Sequence, residues 1–276
     1  MIDDLERYYS WYNRLDVKFE IVKQLYKREF ALLVPKYDNE NKKANVRMLK
    51  CHNVNGYEAI IGGLHLFNKE FKYNFYQSLA FYKDGIPHQS LNLSMRDNTA
   101  WLKNHDQHME GYDFLIDIDA GDHIDTNWAY ESTMRIKEEL DFYRTPYRLH
   151  FSGKGFHIII PYQYFPKVSL LSKDDKNIYV YYSKIAQYFW EKYSELIDRS
   201  IYHPRRLCKL PYSIASYDSD DYICWAFRDN EEFLNFKLSN YRLNNFRKNI
   251  RNRGLFVFNS GSTNKDLLKE VRKWHE

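Results

Sequence analysis

Asp117 and Asp119 stand one residue apart inside the apolar run Phe114-Leu115-Ile116-Asp117-Ile118-Asp119-Ala120. A short apolar run of this kind reads as a strand buried on at least one face. Alternate side chains of a strand point the same way, so the two carboxylates share a face. Crowded there, they repel each other and lose solvation. A divalent cation held between them relieves both strains, and a pair of such cations is what nucleotidyl transfer needs. The plain alternative is an exposed acidic pair on an ordinary strand.

The rest of the chain can build a core around such a strand. Of 276 residues, 44% are apolar and 18% aromatic, which suits one large domain or a domain with a small appended lobe. Mean hydropathy is −0.70, and no stretch approaches the ~18 apolar residues of a membrane span. Met1-Ile2-Asp3-Asp4-Leu5-Glu6 is acidic and lacks the apolar segment of a secretion signal. Cys51, Cys208 and Cys224 are too far apart to suggest a disulfide framework, a zinc site or an iron–sulfur site, so a reducing cytoplasm is the default. The net charge of +4 decides little. Its distribution says more: Arg242, Arg247, Lys248, Arg251 and Arg253 cluster with Tyr241 and Phe246. That segment can track phosphates, or it can be a solvated basic helix.

Leu5, Tyr8, Tyr9, Tyr12 and Leu15 predict one helix over 5–27. Strands are expected at 30–34, 46–49 and 75–82, a helix at 57–67, and a polar turn at 38–43. Residues 84–112 are mixed and polar, with Trp101 as an anchor. After the acidic strand at 114–119, Asp125-Thr126-Asn127 forms an N-cap region for a helix to about Phe142. Strands at 147–151 and 156–160 flank Ser152-Gly153-Lys154-Gly155, and a long helix follows over 177–197. Tyr202 to Ser213 begins irregular and becomes extended, 222–227 reads as a strand, 231–249 is of mixed pattern, 255–258 is short and apolar, and 265–274 closes the chain as a helix. No GxxxxGK[ST] motif occurs, which excludes a P-loop motor.

Two further constellations carry chemistry. In Phe151-Ser152-Gly153-Lys154-Gly155-Phe156-His157 the glycines permit a sharp turn that presents N–H groups to an anion. Ser152, Lys154 and His157 add a hydroxyl, a charge and a ring N–H, a set suited to a triphosphate. The plain reading is a hairpin with a polar turn and a core histidine. Downstream, Asp198 would end the 177–197 helix, where the helix dipole disfavours an acid, so a partner is expected for it. Tyr202 and Arg205-Arg206-Leu207-Cys208-Lys209-Leu210-Pro211-Tyr212-Ser213 follow. Arg206 and Lys209 each suit a phosphate, unless this is a surface loop with an ordinary ion pair.

In this order the pieces resemble the archaeo-eukaryotic primase superfamily, whose catalytic subunits carry an Asp-x-Asp strand, a Ser…His turn and a later aspartate ahead of an Arg-Leu-x-Lys-x-Pro-x-Ser segment. Here these are Asp117/Asp119, Ser152 to His157, Asp198, and Arg206 to Ser213. Lys27-Arg28-Glu29-Phe30-Ala31, Val46-Arg47 and Phe75 to Tyr82 resemble the family's N-terminal segments. The likeness spans roughly 5–230, with its motifs in 113–214. The chain departs from the pattern in lacking a cysteine cluster, in having Ala215 where many members have His, and in a turn one residue shorter than the SGRRGxH form.

The resemblance implies an α+β, two-lobed catalytic domain over 1–276: an N-terminal α/β lobe (1–112), an RNA-recognition-like catalytic lobe (113–230), and C-terminal strands and helices (231–276). It implies a DNA primase or primase-polymerase that joins NTPs or dNTPs on single-stranded DNA. A primer-requiring end-joining or repair polymerase of the same superfamily is the alternative. Asp117, Asp119 and Asp198 would hold two Mg²⁺ or Mn²⁺ ions. Ser152, Lys154, His157, Lys209 and Arg206 would bind the nucleotide, and Arg47, Arg247, Lys248 and Arg251 would contact nucleotide or nucleic acid. No structural zinc or iron–sulfur cluster is expected. A primase large subunit or replicative helicase is the implied protein partner. The implied location is the cytoplasm, beside the nucleoid in a prokaryote or in the host cytoplasm for a virus or plasmid. Two readings come from other classes. A non-catalytic nucleic-acid-binding module gives no reason for the three aspartates, and a metal-dependent nuclease gives none for the Ser/Lys/His turn.

Overall fold

A computed structural model describes residues 2–35, 43–49, 51, 53–67, 74–83, 109–120, 125–165, 178–193, 196–198, 206–217 and 220–276. The fold is α+β. In chain order it begins with α1 (Ile2–Tyr12), α2 (Leu15–Gln24), β1 (Phe30–Pro35), β2 (Lys43–Leu49), α3 (Val54–Phe67), β3 (Asn74–Ser78) and β4 (Ala80–Tyr82). Next come β5 (Met109–Tyr112), β6 (Phe114–Ile118), α4 (Thr126–Phe142), β7 (Arg148–Phe151), β8 (Phe156–Ile160) and α5 (Ile178–Tyr193). The chain ends with β9 (Leu207–Lys209), β10 (Ile214–Tyr217), β11 (Asp220–Ile223), β12 (Trp225–Ala226), α6 (Asn230–Leu234) and α7 (Lys265–His275). None of the described helices is long and apolar enough to cross a membrane.

These elements form two compact units, each gathered from separated stretches. The first comprises Met1–Glu110, Leu207–Cys224 and Ser239–Gly254; the second comprises Gly111–Arg206, Trp225–Leu238 and Leu255–Glu276. The division differs from the sequence expectation, which kept 113–230 together. Residues 207–224, with Lys209, group with the N-terminal stretch instead.

The first unit is an antiparallel sheet in the order β2-β1-β3-β9, joined by the β10–β11 hairpin and α1 to α3. The one helix expected over 5–27 is two. Arg14 is extended (φ −60°, ψ 135°), held by two hydrogen bonds to Asp16 and by the Trp11 ring at 4.6 Å. The break lets α1 and α2 each pack on α3, burying Tyr8, Tyr12, Val17, Ile21 and Leu25. The later stretch is tied in closely: Trp11 Nε1 donates to Tyr212 O at 2.9 Å, and Ile214 N donates to Tyr12 Oη at 2.8 Å. The strand expected over 75–82 divides at Leu79, because Arg28 binds the carbonyls of Ser78 and Leu79 at 2.9 and 3.2 Å.

The second unit is built on an antiparallel sheet in the order β12-β7-β8-β6. Residues 196–198 add to the free edge of β6 through a bridge between Ile118 and Ile197. Along the chain this is β-α-β-β-α-β, a split β-α-β arrangement. One face carries Phe114, Ile116, Ile118, Phe156, Ile158 and Ile160, all buried. Helices α4 and α5 cover it, with Tyr130 5.9 Å from Phe156 and Tyr182 5.2 Å from Phe114. Alternation therefore gives the other face to Leu115 and Asp117 on β6 with Asp119 just beyond its end, His157 and Ile159 on β8, and Arg148 and His150 on β7.

Other expectations are revised. Helix α5 ends at Tyr193, so Asp198 lies in an extended bridge segment and not at a helix terminus. The 222–227 strand breaks at Cys224, whose backbone exchanges bonds with Tyr212 and Ser213 in the first unit while Trp225 pairs with Phe151 in the second. Residues 255–258 form a single bridge, Tyr147 to Phe258. The basic segment 242–253 is irregular with a short 3₁₀ turn, which removes the basic-helix reading. Most of the polar turn at 38–43, along with Trp101, Tyr202 and Arg205, lies outside the described residues.

Candidate active site

The bridge between Ile118 and Ile197 sets the geometry of the acids. Asp119 N donates to Leu196 O at 3.1 Å and Asp198 N donates to Asp117 O at 3.0 Å. Ile118 and Ile197 turn inward and are buried. Asp117, Asp119 and Asp198 therefore project from the opposite face, with Asp117 directly across from Asp198. Three acids separated by up to 81 positions are brought to one end of one sheet face.

The turn after β7 lies against the same end. Phe151 pairs with Phe156, and the four residues between them close on themselves: Ser152 N donates to Gly155 O at 2.9 Å, and Gly155 N donates to Ser152 Oγ at 3.2 Å. Gly153 has φ 101°, a conformation that favours glycine. Gly155 abuts the end of β6, since a Cβ there would lie 1.9 Å from Ile118 O. The register then places His157 opposite Asp117, with its Nε2 3.3 Å from Asp117 Oδ1. Lys154 Nζ lies 3.4 Å from Asp119 Oδ1.

Arg206 completes the set. Its guanidinium is 3.2 Å from Asp198 Oδ2 and 3.8 Å from Asp117 Oδ2. Each acid thus faces a cationic side chain or the His157 imidazole. Among the described residues, no three His, Cys, Asp or Glu side chains are gathered so as to hold a metal ion. The donor set nevertheless fits a hard divalent cation in kind, being all carboxylate oxygen, and the backbone already sets the three acids side by side.

One residue of this face escaped the sequence reading. His150 pairs with His157, so Asp117, His157 and His150 form a row across three strands. His150 is 2% exposed, and neither ring nitrogen has a hydrogen-bond partner. Burial, reinforced by His157 and Arg148, pushes its pKa well below the ordinary histidine value. The alternation Arg148-Leu149-His150-Phe151-Ser152 was the available signal.

The remaining candidates belong to the first unit. Lys209 pairs with Tyr76, its Nζ 5.7 Å over that ring. Arg47 lies in β2. Lys248 stacks over Tyr241 at 4.8 Å, while Arg247 and Arg251 sit in the irregular segment after it and line a cavity with α2.

No family model matches the chain, and no curated protein matches it. Among solved structures, the polymerase domain from Mycobacterium tuberculosis ligase D in complex with DNA is similar at a TM-score of 0.47 and 8% sequence identity. That match covers 98% of this chain and 88% of the other.

Proposed function

We propose that the second unit is the catalytic core of a nucleotidyltransferase of the primase-polymerase type, acting on NTPs or dNTPs over a single-stranded DNA template. The observation that carries this reading is the Ile118–Ile197 bridge, which lines up Asp198 with Asp117 and Asp119 beside the Ser152–His157 turn. The β-α-β-β-α-β order of this unit also suits an RNA-recognition-like lobe. A simple binding module would have no need to set three acids along one sheet face beside that turn.

Asp117, Asp119 and Asp198 would hold Mg²⁺ or Mn²⁺, which when bound supplies charge neutralisation for the triphosphate and a lowered pKa for the attacking 3′-hydroxyl. The chain's own groups position the substrate, because phosphoryl transfer asks little covalent help. Lys154 and Arg206, now against the acids, would turn to phosphate oxygens as nucleotide enters. His157 would donate a ring N–H, and Ser152 a hydroxyl, to the same oxygens.

The test supplies template, metal and labelled NTPs or dNTPs, with and without primer. Primer-independent product is expected from the wild type, together with its loss in Asp117→Asn and Asp198→Asn variants of unchanged circular dichroism. Synthesis surviving in either variant removes the acids from catalysis. Product only with primer reassigns the enzyme to end-joining or repair extension.

A further inference from the structure

The second candidate surface lies wholly in the first unit. Helix α2 and the segment 247–252 enclose a cavity of about 680 Å³, lined among others by Arg14, Asp16, Phe19, Lys23, Arg247 and Arg251. Glu20 lines it as well, so it holds four basic and two acidic side chains.

Both acids are already engaged in building the cavity. Asp16 accepts from Arg14 Nε at 3.0 Å and from the Ile250 N–H at 3.0 Å. Burial acts to raise its pKa, but the bonds from Arg14 and the Ile250 N–H outweigh it and hold the carboxyl below its ordinary value. Glu20, only 1% exposed, accepts from Lys23 at 3.0 Å and from the Gly254 N–H at 2.8 Å. Two carboxylates of α2 thus clamp the backbone of an irregular segment at Ile250 and Gly254, and Ile250 is fully buried beneath it. The arginines on that segment line the same cavity without pairing with either acid. Arg247 bonds only the carbonyl of Phe246, at 3.0 Å, and neither Arg247 nor Arg251 has an ion-pair partner among the described residues. The facing helix exposes an aromatic ring, Phe19, at 47%, beside Leu15 at 63%.

Guanidinium groups left without carboxylates, held on an anchored segment opposite an exposed ring, match the alternation of phosphate and base along a single strand. A protein partner would ask for more apolar surface, and a free nucleotide would need no anchored run of arginines. We propose that this cleft binds the backbone of single-stranded nucleic acid, with Arg247 and Arg251 on successive phosphates and Phe19 stacking a base. The proposal does not depend on the acidic site.

The test uses the full chain and a fluorescently labelled oligothymidylate, with chelator present and nucleotides omitted, so that activity plays no part. Anisotropy is read from 50 to 200 mM salt. Each phosphate contact to a single strand contributes about 0.7 to the slope of log K against log salt. The Arg247→Ala/Arg251→Ala double variant should therefore lose roughly 1.4 of slope, and bind on the order of tenfold or more weakly at 0.1 M salt. Phe19→Ala should weaken binding with the slope unchanged. Circular dichroism checks that each variant is folded. An unchanged slope in a folded double variant overturns the proposal. So does displacement of the strand by inorganic tripolyphosphate at equal phosphate concentration, which would assign the cleft to free phosphate.

Discussion

A Cβ on residue 155 would lie 1.9 Å from Ile118 O and 3.0 Å from the Asp119 Cα. Backbone cannot yield as a flexible side chain does, so Gly155→Ala must push the turn away from β6. We expect a loss of roughly 1–3 kcal/mol of stability, the usual range for overpacking, read as a lower urea midpoint. Synthesis should fall further than stability alone requires, because the displaced atoms carry Asp119. An unchanged midpoint would mean the turn has room to spare. His150 makes a different prediction. Its proton is disfavoured in the native state but binds in the unfolded chain near pH 6.5. Its contribution to stability is therefore complete above that pH and is lost as the pH falls towards the depressed native value. Thermal melts at pH 7.5 and 5 should differ less in His150→Phe than in the wild type; equal differences would show that His150 is not the group responsible. The acids and the turn were legible because their residue types have few other uses in an apolar setting. His150 was not, since an isolated histidine in a strand reads as core until its neighbour across the ladder is known.

Single elements with local causes were also legible. Helix α4 was expected from Asp125 onwards, and Asp125 does cap it, accepting from Asn127 N at 3.0 Å. Asp125→Ala should cost about 1 kcal/mol by removing that bond, and an unchanged melting temperature would show the first turn is held by other means. Where tertiary contacts decide, the sequence was silent. No proline or glycine marks the break at Arg14; the guanidinium's bonds to Asp16 do so. The end of α5 at Tyr193 was missed for a similar reason. Ile197 continues the apolar pattern of the helix but is claimed by the edge of β6. The strand at 222–227 looked continuous because its residues are apolar throughout, although Cys224 bonds into one unit and Trp225 into the other.

At the scale of the whole molecule, both units are discontinuous in sequence. The first needs β9 on the edge of β3, Tyr212 to receive Trp11, and the backbone of Ile214 to meet Tyr12. Residues 1–110 expressed alone lack all of these, leaving buried polar groups unsatisfied and an apolar surface open. That fragment should show no cooperative thermal transition while the full chain does. A sharp transition in the fragment would mean that the later stretches only decorate a self-sufficient core. Interleaving of this kind also imposes a timetable on biosynthesis. Glu20 cannot grip the Gly254 amide until the ribosome has passed that codon. At roughly 5–20 residues per second, the wait after residue 110 is on the order of ten seconds. During that interval residues 1–110 are exposed and unfinished, an apt target for chaperones, and their maturation is tied to translation as far as Gly254.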